Sequence, residues 1–111
     1  MGTIEVNGTT LEVDDDGFLA NPENWSPDVA KYYAHAEGLE MTPPHWEIVY
    51  FLREYYNYYQ IAPMIRVLVR ELGKRCGPDK GNIKYLYELF PGGPAKQACR
   101  ISGLPRPTGC V

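Results

Sequence analysis

Three cysteines, Cys76, Cys99 and Cys110, are the residues of this 111-residue chain whose type and spacing could carry chemistry. An odd number, in a chain that opens without an export signal, argues against a structural disulfide framework. Zinc is no better served: there is no Cys-x-x-Cys, and His35 and His45 fall on predicted helical segments far from the cysteines. His45 is read as a satisfied polar contact in the first turn of its helix, not as a ligand. Cys110 differs because it stands next to last, where an exposed thiol invites oxidation and cross-linking and has no packing reason to exist. Cys99 lies 11 positions upstream. A free loop of that size closes in about 10 to 100 ns, and fully extended it reaches ~36 to 40 Å, enough to enter another protein's cleft. The pair reads as an attacking thiol on an arm with a resolving thiol at its base, the logic of thiol–disulfide exchange.

The thiolate is the reactive form, and the terminal carboxylate of Val111, one residue from Cys110, opposes it by like-charge repulsion. Positive charge must come from elsewhere. Lys96, Arg100 beside Cys99 and Arg106 on the arm are the binding candidates, together with basic groups of a partner, so docking could switch reactivity on. Cys76 follows Lys74-Arg75 at a predicted helix end and is read as structural.

The elements that must position these thiols are legible from caps and periodicity. Asn7-Gly8 between the alternating runs Ile4-Glu5-Val6 and Thr9 to Val13 predicts a β-hairpin, because both turn residues must take positive φ. Ser26-Pro27-Asp28 supplies an N-cap, a proline at the first helical position and an acid at the positive helix end. The helix should run to about Glu37, with Gly38 past its end. Thr42-Pro43 starts a second helix, whose apolar face is Ile48, Phe51, Leu52, Tyr55 and Tyr59. Met64, Ile65, Leu68, Val69 and Leu72 form the stripe of a third, and Ile83, Leu86, Tyr87 and Phe90 mark a fourth. Pro94 can open a short helix carrying Ala95, Ala98 and Cys99, which Gly103 ends.

These segments predict a mainly α fold in one domain over residues 1–111: a hairpin region at 1–20, a small helical bundle at 26–90, and a short helix plus flexible C-terminal arm at 91–111. Eight of the last 21 residues are Gly or Pro, and Leu104 to Val111 are expected to be mobile and dispensable for stability. The net charge of −3 hides a gradient, with nine acids and one lysine in residues 1–40 but three cations and no acid in residues 91–111. No run nears the ~18 apolar residues of a membrane helix, and the opening residues lack a signal peptide or a myristoylation motif. A cytoplasmic protein without membrane insertion is expected.

The segment Lys84-Tyr85-Leu86-Tyr87-Glu88-Leu89-Phe90-Pro91-Gly92-Gly93-Pro94-Ala95, with Ala98-Cys99 and Gly103-Leu104-Pro105-Arg106-Pro107-Thr108-Gly109-Cys110-Val111, resembles the C-terminal signature of the DsrC/TusE sulfur-carrier family. His45-Trp46-Glu47 with Phe51-Leu52-Arg53 resembles its central helix, and Asn7-Gly8 through Asp16-Gly17-Phe18-Leu19 its opening. In that family the TusE type, which relays sulfur toward transfer-RNA thiolation, keeps only the penultimate cysteine. Having Cys99 as well makes this chain similar to the DsrC type. The resemblance implies that Cys110 carries sulfur as a persulfide and that Cys99 joins it in a trisulfide or disulfide. It implies as partners a dissimilatory sulfite reductase whose channel the arm enters, a membrane thiol/disulfide oxidoreductase complex, and small sulfurtransferases. No cofactor is expected on this chain, because sirohaem and iron–sulfur clusters would belong to the reductase.

The leading expectation is therefore a sulfur carrier and co-substrate in dissimilatory sulfur metabolism, not a self-sufficient enzyme, with a TusE-like relay as the alternative. A helix-turn-helix DNA-binding regulator is a further alternative, since residues 63–75 and 80–90 carry Arg66, Arg70, Lys74, Arg75, Lys80 and Lys84. Nucleic acid is disfavoured by the pI of about 5.3, which withholds the electrostatic affinity DNA binding needs. An inert subunit anchored by its arm is the remaining alternative.

Overall fold

The computed structural model describes residues 2–107. Asn7 and Gly8 both take positive φ, +52° and +80°, the turn geometry that the right-handed twist of paired strands favours. They join β1 (Gly2–Val6) to β2 (Thr9–Val13) as an antiparallel pair in which Gly2 faces Val13 and Val6 faces Thr9. Alternation turns Leu11 and Val13 inward. The chain then folds tightly: Asp14 Oδ1 accepts from the amides of Asp16 and Phe18, both at 2.9 Å. Phe18 is thereby delivered to the core, fully buried.

After a 3-10 turn at Pro22–Asn24, helix α1 (Pro27–Ala36) begins where the Ser26 hydroxyl accepts from the Val29 amide, and stops before Gly38 at φ +70°. It buries Val29, Ala30, Tyr33 and Ala34 on one face. Helix α2 (Pro43–Tyr59) buries His45, Ile48, Val49, Phe51 and Leu52, but its last two turns outrun the core. Tyr59, expected on the apolar face, is 52% exposed.

Helix α3 (Ile65–Cys76) buries Leu68 and Leu72 completely. The turn that follows lies so close against it that a Cβ on Gly81 would sit 2.3 Å from the Gly73 Cα. Helix α4 (Ile83–Leu89) buries Leu86 and delivers Phe90, whereas Ile83 and Tyr87, expected to mark the same apolar run, are on the exposed side.

Helix α5 (Pro94–Ile101) is short, yet it packs against each of the other four helices. Its small residues Ala95, Ala98 and Cys99, all fully buried, let the neighbours close in. It is the centre of the bundle. The mainly helical architecture with one N-terminal hairpin is as the sequence predicts. The expected mobile arm is corrected at its root: Leu104 is fully buried in the main hydrophobic cluster and Pro107 is buried as well.

A docked C-terminal segment over a buried cysteine

The candidate site is built where α5 ends. Helices leave their last carbonyls without intrahelical partners, and here each one finds a donor. The Ala98 carbonyl accepts from the Ser102 amide at 2.9 Å and its hydroxyl at 2.7 Å. Gly103, at φ +72°, turns the chain so that its amide reaches the Arg100 carbonyl at 3.2 Å and the Leu104 amide the Cys99 carbonyl at 3.0 Å. That pair of bonds is the Schellman arrangement, which brings the side chain one residue past the glycine toward that of the third-last helical residue. Those side chains are Leu104 and Cys99, both 0% exposed in one cluster.

Two residues from distant elements complete the set. Trp25 Nε1 donates to the Ile101 carbonyl at 2.9 Å, and Arg53 bridges the Ser102 carbonyl at 2.8 Å to the Pro22 carbonyl at 3.1 Å. The Arg53 guanidinium also lies 4.4 Å over the Trp25 ring. Burial lowers the Arg53 pKa from its ordinary value, with Tyr50 acting the other way. The indole presses on the turn itself, since a Cβ on Gly103 would come within 2.5 Å of it. Farther along, Arg106 pairs with Asp16 at 2.8 Å. The loop bearing Asp16 is held by Tyr33, whose hydroxyl donates to the Gly17 carbonyl at 2.7 Å. Burial pushes the Tyr33 hydroxyl up to about 12, against the pull of Arg100.

The thiol of Cys99 is likewise pushed up to about 12, by burial alone. At neutral pH such a thiol stays protonated, and the thiolate is the form that attacks. Arg100, a candidate for activating it, is engaged elsewhere: it donates to Glu37 Oε1 at 3.1 Å and lies 4.8 Å over the Phe18 ring. Gln97 donates to the same Glu37 oxygen at 3.2 Å. Lys96 is exposed on the outer side of α5. The three cations named from sequence therefore do not converge on Cys99, and Cys110 lies outside the described residues.

His45 meets its expectation as a satisfied polar contact. Its Nε2 faces the Leu89 carbonyl at 2.8 Å and must carry the proton, leaving Nδ1 to accept from the Thr42 amide at 3.1 Å. Cys76 packs against the core periphery. On the basic surface of α3 and the following turn, Arg70 and Lys74 pair with Glu71, Arg75 with Glu54 and Lys80 with Glu47, which weakens its appeal to phosphates. Among the described residues no group of three or more His, Cys, Asp or Glu side chains could hold a metal, and no helix is long and apolar enough to cross a membrane.

The residues that sequence reasoning missed are Trp25, Arg53, Asp16 and Glu37. Only Arg53 carries a local signal: a cation directly after Phe51-Leu52 in an apolar helix face must find acceptors indoors.

Comparison with known proteins locates this geometry. Residues 5–111 match the family model of DsrC-like proteins. The solution structure of DsrC from Allochromatium vinosum is 59% identical, with TM-score 0.89 over 98% of this chain and 97% of that one. The crystal structure of the oxidised gamma subunit of dissimilatory sulfite reductase (DsrC) from Archaeoglobus fulgidus is 45% identical, with TM-score 0.82 over 99% and 100%. A sulfurtransferase TusE homologue from Haemophilus influenzae is 44% identical over 97% of this chain and 99% of its own.

Proposed function

This chain belongs to the family of DsrC-like sulfur carriers, and from that premise we propose that it carries sulfur on Cys110 as the protein co-substrate of a dissimilatory sulfite reductase. The observation that carries the reading is the second cysteine. Cys99 stands at the root of the segment that ends in Cys110, where a resolving thiol belongs. The higher identity to a DsrC, 59%, than to a TusE homologue, 44%, supports the same choice.

Loading is redox-neutral. The Cys110 thiolate attacks the outer sulfur of a donor persulfide, the donor leaves as a thiolate, and Cys110 becomes the persulfide. Release follows when the Cys99 thiolate attacks the Cys110 Sγ. A Cys99–Cys110 disulfide forms, the S–S bond of the persulfide breaks, and its electron pair departs on hydrosulfide. Two electrons from a thiol/disulfide oxidoreductase then restore both thiols. A trisulfide, which keeps the sulfur, lies two electrons above persulfide plus thiol and needs an oxidised sulfur such as one derived from sulfite. Small sulfurtransferases are the fitting donors in an oxidative direction.

A TusE-like relay toward transfer-RNA thiolation is favoured by the TusE relatives. The two readings part at Cys99, which the relay does not need. Turnover of a sulfite reductase supplied with the parent, Cys99→Ser or Cys110→Ser protein tests them: the DsrC reading expects both variants to fail, and full activity of Cys99→Ser overturns it.

A further inference from the structure

Cys99 presents a difficulty for any exchange chemistry. A thiolate attacks a disulfide or persulfide sulfur in line with the bond it breaks, so the sulfur must be reachable. Yet the Cys99 side chain has no exposure at all. The helices packed on α5 bury it on the inner side, and the next turn of the same chain folds back beside it. Leu104, three residues before the last described residue, is the side chain that the Schellman turn lays toward Cys99.

We propose that residues Leu104–Pro107 form a gate over Cys99, with Leu104 as the plug, Gly103 as the pivot, Trp25 and Arg53 as the fixed clasp of the pivot, and the Arg106–Asp16 pair as an outer latch. The division follows from the contacts. Trp25 and Arg53 hold the carbonyls of Ile101 and Ser102, before the pivot, so they stay engaged when the gate opens. Beyond the pivot, among the described residues, one backbone hydrogen bond, from the Leu104 amide to the Cys99 carbonyl, ties the segment down. The latch is an exposed ion pair, its side chains 61% and 46% accessible, and such pairs contribute only ~0 to 1 kcal/mol. Opening therefore breaks that hydrogen bond and one weak ion pair and withdraws the buried Leu104 and Pro107, while α5 and the helices around it remain packed. That is sub-global opening of the kind that proteins sample far more often than unfolding.

The gate itself stands on the described geometry. Its consequence for sulfur release rests on the carrier reading: Cys99 stays out of exchange until the tail leaves the body, so release waits on arm movement. The two can fail separately, because the gate is read on Cys99 alone.

The test uses the full chain with Cys76→Ser and Cys110→Ser, leaving Cys99 as the sole thiol. Its reaction with excess N-ethylmaleimide is followed by intact mass across a urea series below the unfolding transition, beside global stability. The gate predicts a shallow urea dependence, far below the slope of global unfolding. Asp16→Asn should raise the labelling rate two- to fivefold, and Leu104→Ala tenfold or more beyond any change in global stability. Trp25→Phe, acting before the pivot, should change the rate by no more than its effect on global stability. Labelling at the rate of an unfolded thiol in the parent would overturn the gate. So would labelling that tracks global unfolding in parent and variants alike.

Discussion

The Leu104 amide donates to the Cys99 carbonyl at 3.0 Å, and this bond ties the start of the C-terminal segment to the residue that bears the buried thiol of α5. The segment does not simply leave the bundle. It first folds back on the last turn of α5, with the Trp25 indole against Gly103 and Arg106 paired with Asp16.

The turn depends on a residue without a side chain. Gly103 needs positive φ, and its open side is occupied by the indole of Trp25. Gly103→Ala should cost about 1–2 kcal/mol for the backbone alone and more for displacing the ring. Gly17→Ala, also at positive φ but with nothing within 4 Å, should cost only the backbone part. Urea unfolding of the two variants side by side checks the difference.

Leu104 belongs to the core, which reverses the expectation that the tail can be removed without loss. Leu104→Ala should destabilise by ~2 to 5 kcal/mol, in the range expected for Leu68→Ala on α3. A change within ~0.5 kcal/mol, the usual surface value, would place Leu104 outside. Truncation after Gly103 should lower the unfolding midpoint, and truncation after Pro107 should not.

Arg53 acts through the shape of its guanidinium. Arg53→Ala leaves the Ser102 and Pro22 carbonyls without their donor and uncovers the Trp25 ring, which should cost about 2–3 kcal/mol. Arg53→Lys should recover little, because a single ammonium cannot span two carbonyls and lie flat on a ring. Thermal unfolding of both variants decides whether geometry or charge is what α5 requires.

Alkaline pH should loosen the fold. Cys99 and Tyr33 are both raised to about 12, from ordinary values of 9.0 and 10.0. Between those values the unfolded chain gives up protons that the folded chain keeps, so stability is intact below pH ~9 and declines as pH climbs toward 12. Cys99→Ala combined with Tyr33→Phe should flatten that decline in urea midpoints measured at pH 8 to 11.

Local signals carried the elements well. The Asn7-Gly8 turn, the starts at Ser26-Pro27 and Thr42-Pro43, and the stop at Gly103 each depend on a few neighbouring residues, and each is found where those residues place it. The fate of Leu104 was not legible in the same way. Proline and glycine around it describe a chain that cannot be helix, which is true, and say nothing of what the leucine packs on. Its anchors lie far off in sequence: Trp25 is 76 residues from Ile101, and Arg53 is 49 from Ser102. The central position of α5 was hidden for the same reason, since eight residues beside a glycine-rich turn look peripheral until four other helices close on Ala95 and Ala98. Tyr59 failed in the opposite direction: helical spacing continued after the core had ended.

The central claim is that sulfur travels on Cys110 and that Cys99 resolves it. The most direct measurement is peptide mapping by mass spectrometry after a sulfane-sulfur donor is given to the parent, Cys99→Ser, Cys110→Ser and Cys76→Ser proteins. The account predicts one added sulfur on Cys110, accumulating most in Cys99→Ser, a Cys99–Cys110 cross-link only when both are present, and Cys76→Ser indistinguishable from the parent. Sulfur found mainly on Cys99 or Cys76, or undiminished loading in Cys110→Ser, would contradict it.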